Sequence, residues 1–244
     1  MILTDHGSVY TCGDTEDSQL GRKVFSLRHR KDPAIPQRIL LGGSRLRRAV
    51  VIGTGQTTSF AVDTSGNVWA WGMNSHGQTG TGSRSSVEDC PLFVEQPTKV
   101  VGLNSEDRVM QIAGGQFHTL FLTSSGKVYA CGWPIDGQLG LSDDHEAFGG
   151  RDRSKIEFVA EPARVELPEG NDPVVLVSAG PRYSMAVTKS GILFSWGLGC
   201  CGELGLDEEV TYTPRNVTRS EGAWSVRKVS CGGQHAVGLL HRRL

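Results

Sequence analysis

Short runs of alternating apolar residues, each stopped by glycine, recur along the chain. In the central stretch Val109–Ile112 is apolar, Gly114 and Gly115 interrupt it, and Thr119–Thr123 resumes it. Ser124, Ser125 and Gly126 then precede a third run, Lys127–Cys131, which ends at Gly132. A period of two predicts strands, and the Ser-Ser-Gly group predicts a hairpin turn, because glycine there can take a positive φ. Each unit continues through a glycine-rich turn ending in Gln-x-Gly or Glu-x-Gly, at Gln19–Gly21, Gln78–Gly80, Gln138–Gly140 and Glu203–Gly205. A polar loop leads next to an apolar segment opened by proline: Pro36–Leu41, Pro97–Val101, Pro162–Leu167 and Pro214–Val217. Proline has no N–H to give a neighbour, so this fourth run is expected on the outermost strand.

The turn glycine returns at Gly7, Gly66, Gly126 and Gly191, in steps of 59, 60 and 65 residues. Repeats of this length made of four short strands cannot bury a face alone, and radial stacking lets each bury one against the next. The expected fold is therefore all-β, a β-propeller of about four four-stranded blades. Its units run as 1–48 (a partial blade and a basic loop), 49–107, 108–173 and 174–225 (blades) and 226–244 (closing strands). Met1–Thr4 matches the second strand of a blade, and the last residues match a first and second strand. The end strands could complete the first sheet and close a small ring, or the chain could be an arc of a larger one.

Composition narrows the chemistry. Among 244 residues there are 32 glycines, concentrated at the repeat positions, and the formal net charge is −1, which argues against a basic nucleic-acid binder as a whole. The chain has no apolar run long enough to cross a membrane as a helix, and its first residues carry no secretory leader pattern. Cys12 and Cys131 occupy the position held by Trp71 and Trp196, and none of the six cysteines forms a CxxC pair. They read as thiols in a reducing, intracellular compartment.

The pattern G-G-Q-x-H-x-x-x-L-x-x-x-G-x-V-x-x-x-G-x-x-x-x-G-Q-L-G, as it stands from Gly114 to Gly140, resembles the repeats of the RCC1 (regulator of chromosome condensation) family. The resemblance extends over essentially the whole chain. Tyr183–Gly199 and Val226–Leu240 are similar to the last repeat and closing segment of the family's exchange factor for the small GTPase Ran, and Ser8–Arg22 to its middle. This implies part of a seven-bladed ring, with a Ran-like GTPase and the nucleosome as partners and no cofactor. It further implies a nuclear location, with the cytoplasm as the other option, or else a binding propeller without exchange activity. The family wedge that enters near the nucleotide has no counterpart here, and a family aspartate would fall just before Met1. Where the family has His-His this chain has Phe117-His118, and the first of those histidines is the one associated with exchange.

Candidate site residues follow from what repeats and what does not. His118 and His235 share a unit position with Tyr183 and Thr58. They are candidates for the exchange surface, although a polar residue recurring after a glycine turn more often bonds its own framework. Trp71, Trp196 and the Gln-x-Gly turns are expected to serve packing. No histidine stands at metal-ligand spacing, and no nucleophile motif appears in an activating context, so no metal or hydrolytic chemistry is expected. Between Arg22 and Arg48 nine Arg or Lys residues face a single acid, Asp32. Arg28, Arg30 and Lys31 form a loop that the resemblance assigns to the acidic histone surface, and Arg45, Arg47 and Arg48 suit DNA phosphates. Glu203 and Asp207, with Glu208 and Glu209, form an acidic rim suited to a basic patch on a GTPase. The enlarged loop Ser142–Phe158 is expected to be mobile.

Overall fold

A computed structural model of the chain describes residues 1–23, 33–82, 91–168, 172–217 and 224–242. Its strands are β1 (Ile2–Leu3), β2 (Val9–Thr11), β3 (Gln37–Arg38), β4 (Ala49–Thr54), β5 (Thr58–Asp63), β6 (Val68–Met73), β7 (Phe93–Lys99), β8 (Val109–Gly114) and β9 (His118–Thr123). There follow β10 (Val128–Gly132), β11 (Val159–Val165), β12 (Val174–Ala179), β13 (Tyr183–Thr188), β14 (Leu193–Leu198), β15 (Val210–Asn216), β16 (Trp224–Cys231) and β17 (Ala236–Arg242). They form five antiparallel sheets: β1-β2-β3, three four-stranded sheets β4 to β7, β8 to β11 and β12 to β15, and the pair β16-β17. The first strands β4, β8, β12 and β16 pack on one another in succession, so the sheets stand side by side as blades around a common axis.

The hairpin turns have the expected chemistry: Gly7, Gly66, Gly126 and Gly191 all take φ between 73° and 88°. The fourth strands differ from expectation. β7, β11 and β15 start ahead of their prolines, and the ladder to the third strand shifts register between Ala70 and Gly72, Ala130 and Gly132, and Ser195 and Gly197. Pro97, Pro162 and Pro214 lie inside these irregularities. The missing N–H breaks the ladder locally and the strand continues past it as a bulge.

β5, β9 and β13 are buried at every residue, because each lies between the seams on both sides of its sheet. The second and third sheets are joined by Phe60, Val62, Ile112 and Phe121, with the two phenyl rings edge to face at 5.8 Å. The third and fourth are joined by Leu120, Leu122, Val177, Phe194 and Trp196. Polar groups lock the same seams. The Gln19 carbonyl accepts from Ser59 Oγ and Trp71 Nε1, both at 3.0 Å. Gln78 O accepts from Thr119 Oγ1 at 2.7 Å and Cys131 Sγ at 3.6 Å. Gln138 O accepts from Ser184 Oγ and Trp196 Nε1, both at 2.9 Å. Each Gln-x-Gly turn thus docks on the second and third strands of the following blade.

The chain forms an arc. Among the described residues β16 and β17 pair only with each other and the first sheet keeps three strands, so the last strands do not complete it. The enlarged loop of the third blade is ordered. It contains two one-turn 3-10 segments, Glu146–Phe148 and Arg153–Lys155, begun by the side chains of His145 and Asp152. Phe148 and Ile156 are buried in the core between the third and fourth blades, which overrides the loop's polar composition. No helix among the described residues is long and apolar enough to cross a membrane. The described cysteines, Cys12, Cys131, Cys200, Cys201 and Cys231, are free thiols.

Candidate functional site

Antiparallel order places the turns between first and second strands at one end of every blade, together with the connections between third and fourth strands. The hairpin turns lie at the opposite end. Around the axis the first-to-second turns are bonded in series: Gln56 N donates to Gly115 O and Gln116 N to Pro181 O, both at 3.1 Å. Gly115 is required here, since a Cβ would overlap both the Gly180 carbonyl oxygen and the His118 ring. This end, the connection face, carries Phe117, His118 and His235.

His118 is fully buried, and its Nε2 lies 2.8 Å from Ser184 Oγ in the next blade. The Ser184 hydroxyl spends its proton on Gln138 O, so it accepts from Nε2–H, leaving Nδ1 of His118 unprotonated and without a partner. Burial lowers the His118 pKa to about 3, so the ring is neutral at physiological pH and acts as a strap between blades. Tyr183 makes the corresponding link one blade on: its hydroxyl donates to His235 O at 2.7 Å, and burial raises its pKa. His235 itself has an exposed side chain on the connection face.

Phe117 is half-buried in a cluster that spans two blades. Its ring centroid lies 4.5 Å from His76 and 5.8 Å from Trp133, and His76 and Trp133 are 5.2 Å apart. Burial lowers the pKa of His76, whose Nδ1 is 2.8 Å from Ser75 Oγ. At the equivalent place in the next blade Arg182 meets Asp136 through two hydrogen bonds of 2.6 and 2.7 Å. One repeat position therefore holds an ion pair in one seam and an aromatic cluster in the other. His76 and Trp133 escaped the sequence reading because neither belongs to the repeat pattern. The available signal was that both flank its invariant turn at places where the other blades differ.

The acidic residues divide. Asp207, Glu208 and Glu209 are exposed in the connection between β14 and β15, whereas Asp143, Asp144 and Glu146 are exposed in a loop that runs along β11, where His145 Nε2 lies 3.0 Å from Arg164 O. Glu203 is not on the rim: it is buried, and its Oε2 accepts from Cys201 N at 2.8 Å. It does the work of Gln19 and Gln78, whose side-chain oxygens accept from Asp17 N and His76 N. The basic segment also divides. Arg28, Arg30 and Lys31 lie outside the described residues. Arg45, Arg47 and Arg48 are exposed and follow β3 toward the hairpin end; Arg38 Nη2 donates to Arg45 O, and Arg22 Nη1 donates to the adjacent Gln37 Oε1. Arg47 lies 4.7 Å over the Trp69 ring and donates to Leu41 O and Gly42 O, while Arg48 donates to His6 O. Those bonds hold both guanidinium groups to the framework and leave Arg45 the freest of the three.

The model of the RCC1-like domain matches residues 1–238. The chain belongs to this family. It is 33% identical over 233 residues to the ultraviolet-B receptor UVR8 of Arabidopsis thaliana, covering 96% of this chain and 46% of that protein. It is 30% identical over 245 residues to the guanine nucleotide exchange factor SRM1 of Saccharomyces cerevisiae, covering 97% and 48%. The crystal structure of Prp20p from Saccharomyces cerevisiae, a protein with binding properties toward Gsp1p and histones, superposes with a TM-score of 0.84 at 28% identity over 99% of this chain and 53% of that one. The chain thus spans about half the length of these RCC1-like relatives.

Proposed function

We propose that this chain is the partner-binding part of a guanine nucleotide exchange factor for a Ran-like GTPase, and that the GTPase sits on the connection face. The observation that carries the proposal is a half-buried aromatic cluster, Phe117, His76 and Trp133, at the end of the blades from which the exposed acidic connection Asp207 to Glu209 also leaves. Interfaces draw most of their energy from such aromatic anchors, while surrounding charge steers a partner of opposite sign. Exchange of this kind needs no covalent step. The face would bind the GTPase more tightly with its nucleotide site emptied or distorted, and nucleotide and propeller then weaken each other's binding by the same factor. The likeness to SRM1 supports this reading.

Phe117 favours a second reading, a propeller that binds without accelerating release. An aromatic ring packed on His76 can anchor a partner but offers no hydrogen bond where the family resemblance places a histidine. One assay separates the two: release of labelled GDP from Ran at substoichiometric chain, alongside direct binding. Exchange activity requires multiple turnovers and should weaken with Trp133→Ala. Binding without faster release supports the second reading, and absence of both removes the GTPase proposal.

Contact with chromatin, and with it a nuclear location, is proposed through the 22–48 segment, with Arg45 the least engaged of the exposed cations Arg45, Arg47 and Arg48. Neutralising Arg45 should then weaken nucleosome binding and flatten its salt dependence.

A further inference from the structure

The ordered loop of the third blade borders an open groove of about 360 Å³ that the proposed partner face does not use. It lies where the third blade meets the outer strand of the fourth. The Pro134–Gly137 turn presses against β15, where a Cβ on Gly137 would lie 2.9 Å from Tyr212 Cα. The groove is lined by Ile135, Asp143, Asp152, Arg153, Ser154 and Tyr212.

Arg153 builds the floor. Its guanidinium is stacked between Phe148 at 4.9 Å and Tyr212 at 4.7 Å, and only 8% of the residue is exposed. Nε donates to Asp143 Oδ1 at 2.9 Å, Nη1 to Pro134 O, and Nη2 to Leu141 O. With all three nitrogens turned to the protein, Arg153 is a fixed part of the wall and not a free anion receptor.

The remaining groups have the opposite polarity. Asp143 commits Oδ1 to Arg153, and Asp152 commits Oδ1 to the amide and hydroxyl of Ser154, bonds that hold its pKa below the usual range. Each carboxylate keeps a second oxygen. Among the lining side chains two anions stand with one cation, Lys155 adds a positive charge near Asp152 from outside the lining, and Ile135 and the Tyr212 ring supply apolar wall beside the carboxylates. This combination is complementary to a cationic head on an aliphatic stem.

We propose that this groove receives an arginine or lysine side chain presented by a partner protein. It is a second contact site, independent of the GTPase reading. The insertion that creates it belongs to one blade alone, so the site would add a partner without altering the propeller.

The test is an NMR titration of the full chain with acetyl-arginine amide, acetyl-lysine amide and uncharged acetyl-citrulline amide. The two cations should shift the signals of residues 142–158 and of Tyr212, with citrulline at least tenfold weaker. The double variant Asp143→Asn, Asp152→Asn keeps acceptor oxygens for Arg153 and Ser154 and should therefore fold, yet it should lose at least tenfold in affinity for the cations. Tyr212→Leu should weaken them while leaving the Asp residues in place. Equal binding of citrulline, unchanged binding by the double variant, or shifts confined to other parts of the chain would overturn the proposal.

Discussion

His118 shows how far burial alone can decide what a side chain does. The family resemblance made it a candidate for the exchange surface, while its place after a glycine turn argued for a framework role, and the ring is sealed in a blade seam with a pKa of about 3. The unfolded chain takes up a proton near pH 6.5 that the folded chain refuses. Stability should therefore be fully present above that pH and fall as pH drops from about 6.5 toward 3, by about 1.4 kcal/mol per pH unit for this one group. Urea titrations across this range should show that slope, and His118→Gln should flatten it. Glu203 offers the complementary test. If its carboxylate only accepts from Cys201 N, Glu203→Gln should change thermal stability by less than about 0.5 kcal/mol, whereas Glu203→Ala should cost about 1 kcal/mol by removing the hydrogen bond that closes the turn. Sequence could place Glu203 in the repeat but not reveal that the repeat position is buried, because a carboxylate and an amide oxygen serve that turn equally well.

At the level of elements, strand order and hairpin turns were legible because alternation and turn glycines are local signals. The start of each fourth strand was not. Pro97, Pro162 and Pro214 looked like strand openings, but an edge strand can carry proline at a bulge, and only pairing reveals the residues ahead of it. The 142–158 loop misled through its charge. Two apolar residues, Phe148 and Ile156, outweigh eight charged ones because they reach the seam between blades. Phe148→Ala should cost about 3–5 kcal/mol and expose the loop to protease, as expected for a core phenylalanine and not for a surface loop. The aromatic cluster was illegible for a different reason. His76, Phe117 and Trp133 come from three separate segments, and no spacing in one chain announces that they converge.

For the whole molecule, the separation of the two ends matters most. Arg45 follows β3 toward the hairpin end, so a partner drawn to it approaches away from one resting on Phe117 at the connection end. The two need not compete, and a GTPase bound at one end should leave nucleosome affinity within about twofold in a competition experiment. Neutralising Asp207, Glu208 and Glu209 together should slow association with a basic partner and reduce its salt sensitivity, with little change in dissociation, which stopped-flow binding would resolve. The seams carry a consequence of another kind. Each blade is received by a main-chain oxygen, at Gln19, Gln78 and Gln138, and offers only a hydroxyl, thiol or indole in return. That bond is the same whichever residue supplies the main-chain oxygen. A gene can duplicate, lengthen or redecorate one unit without refitting its neighbours, and a light receptor and an exchange factor can then share a frame while agreeing at about a third of their positions with this chain.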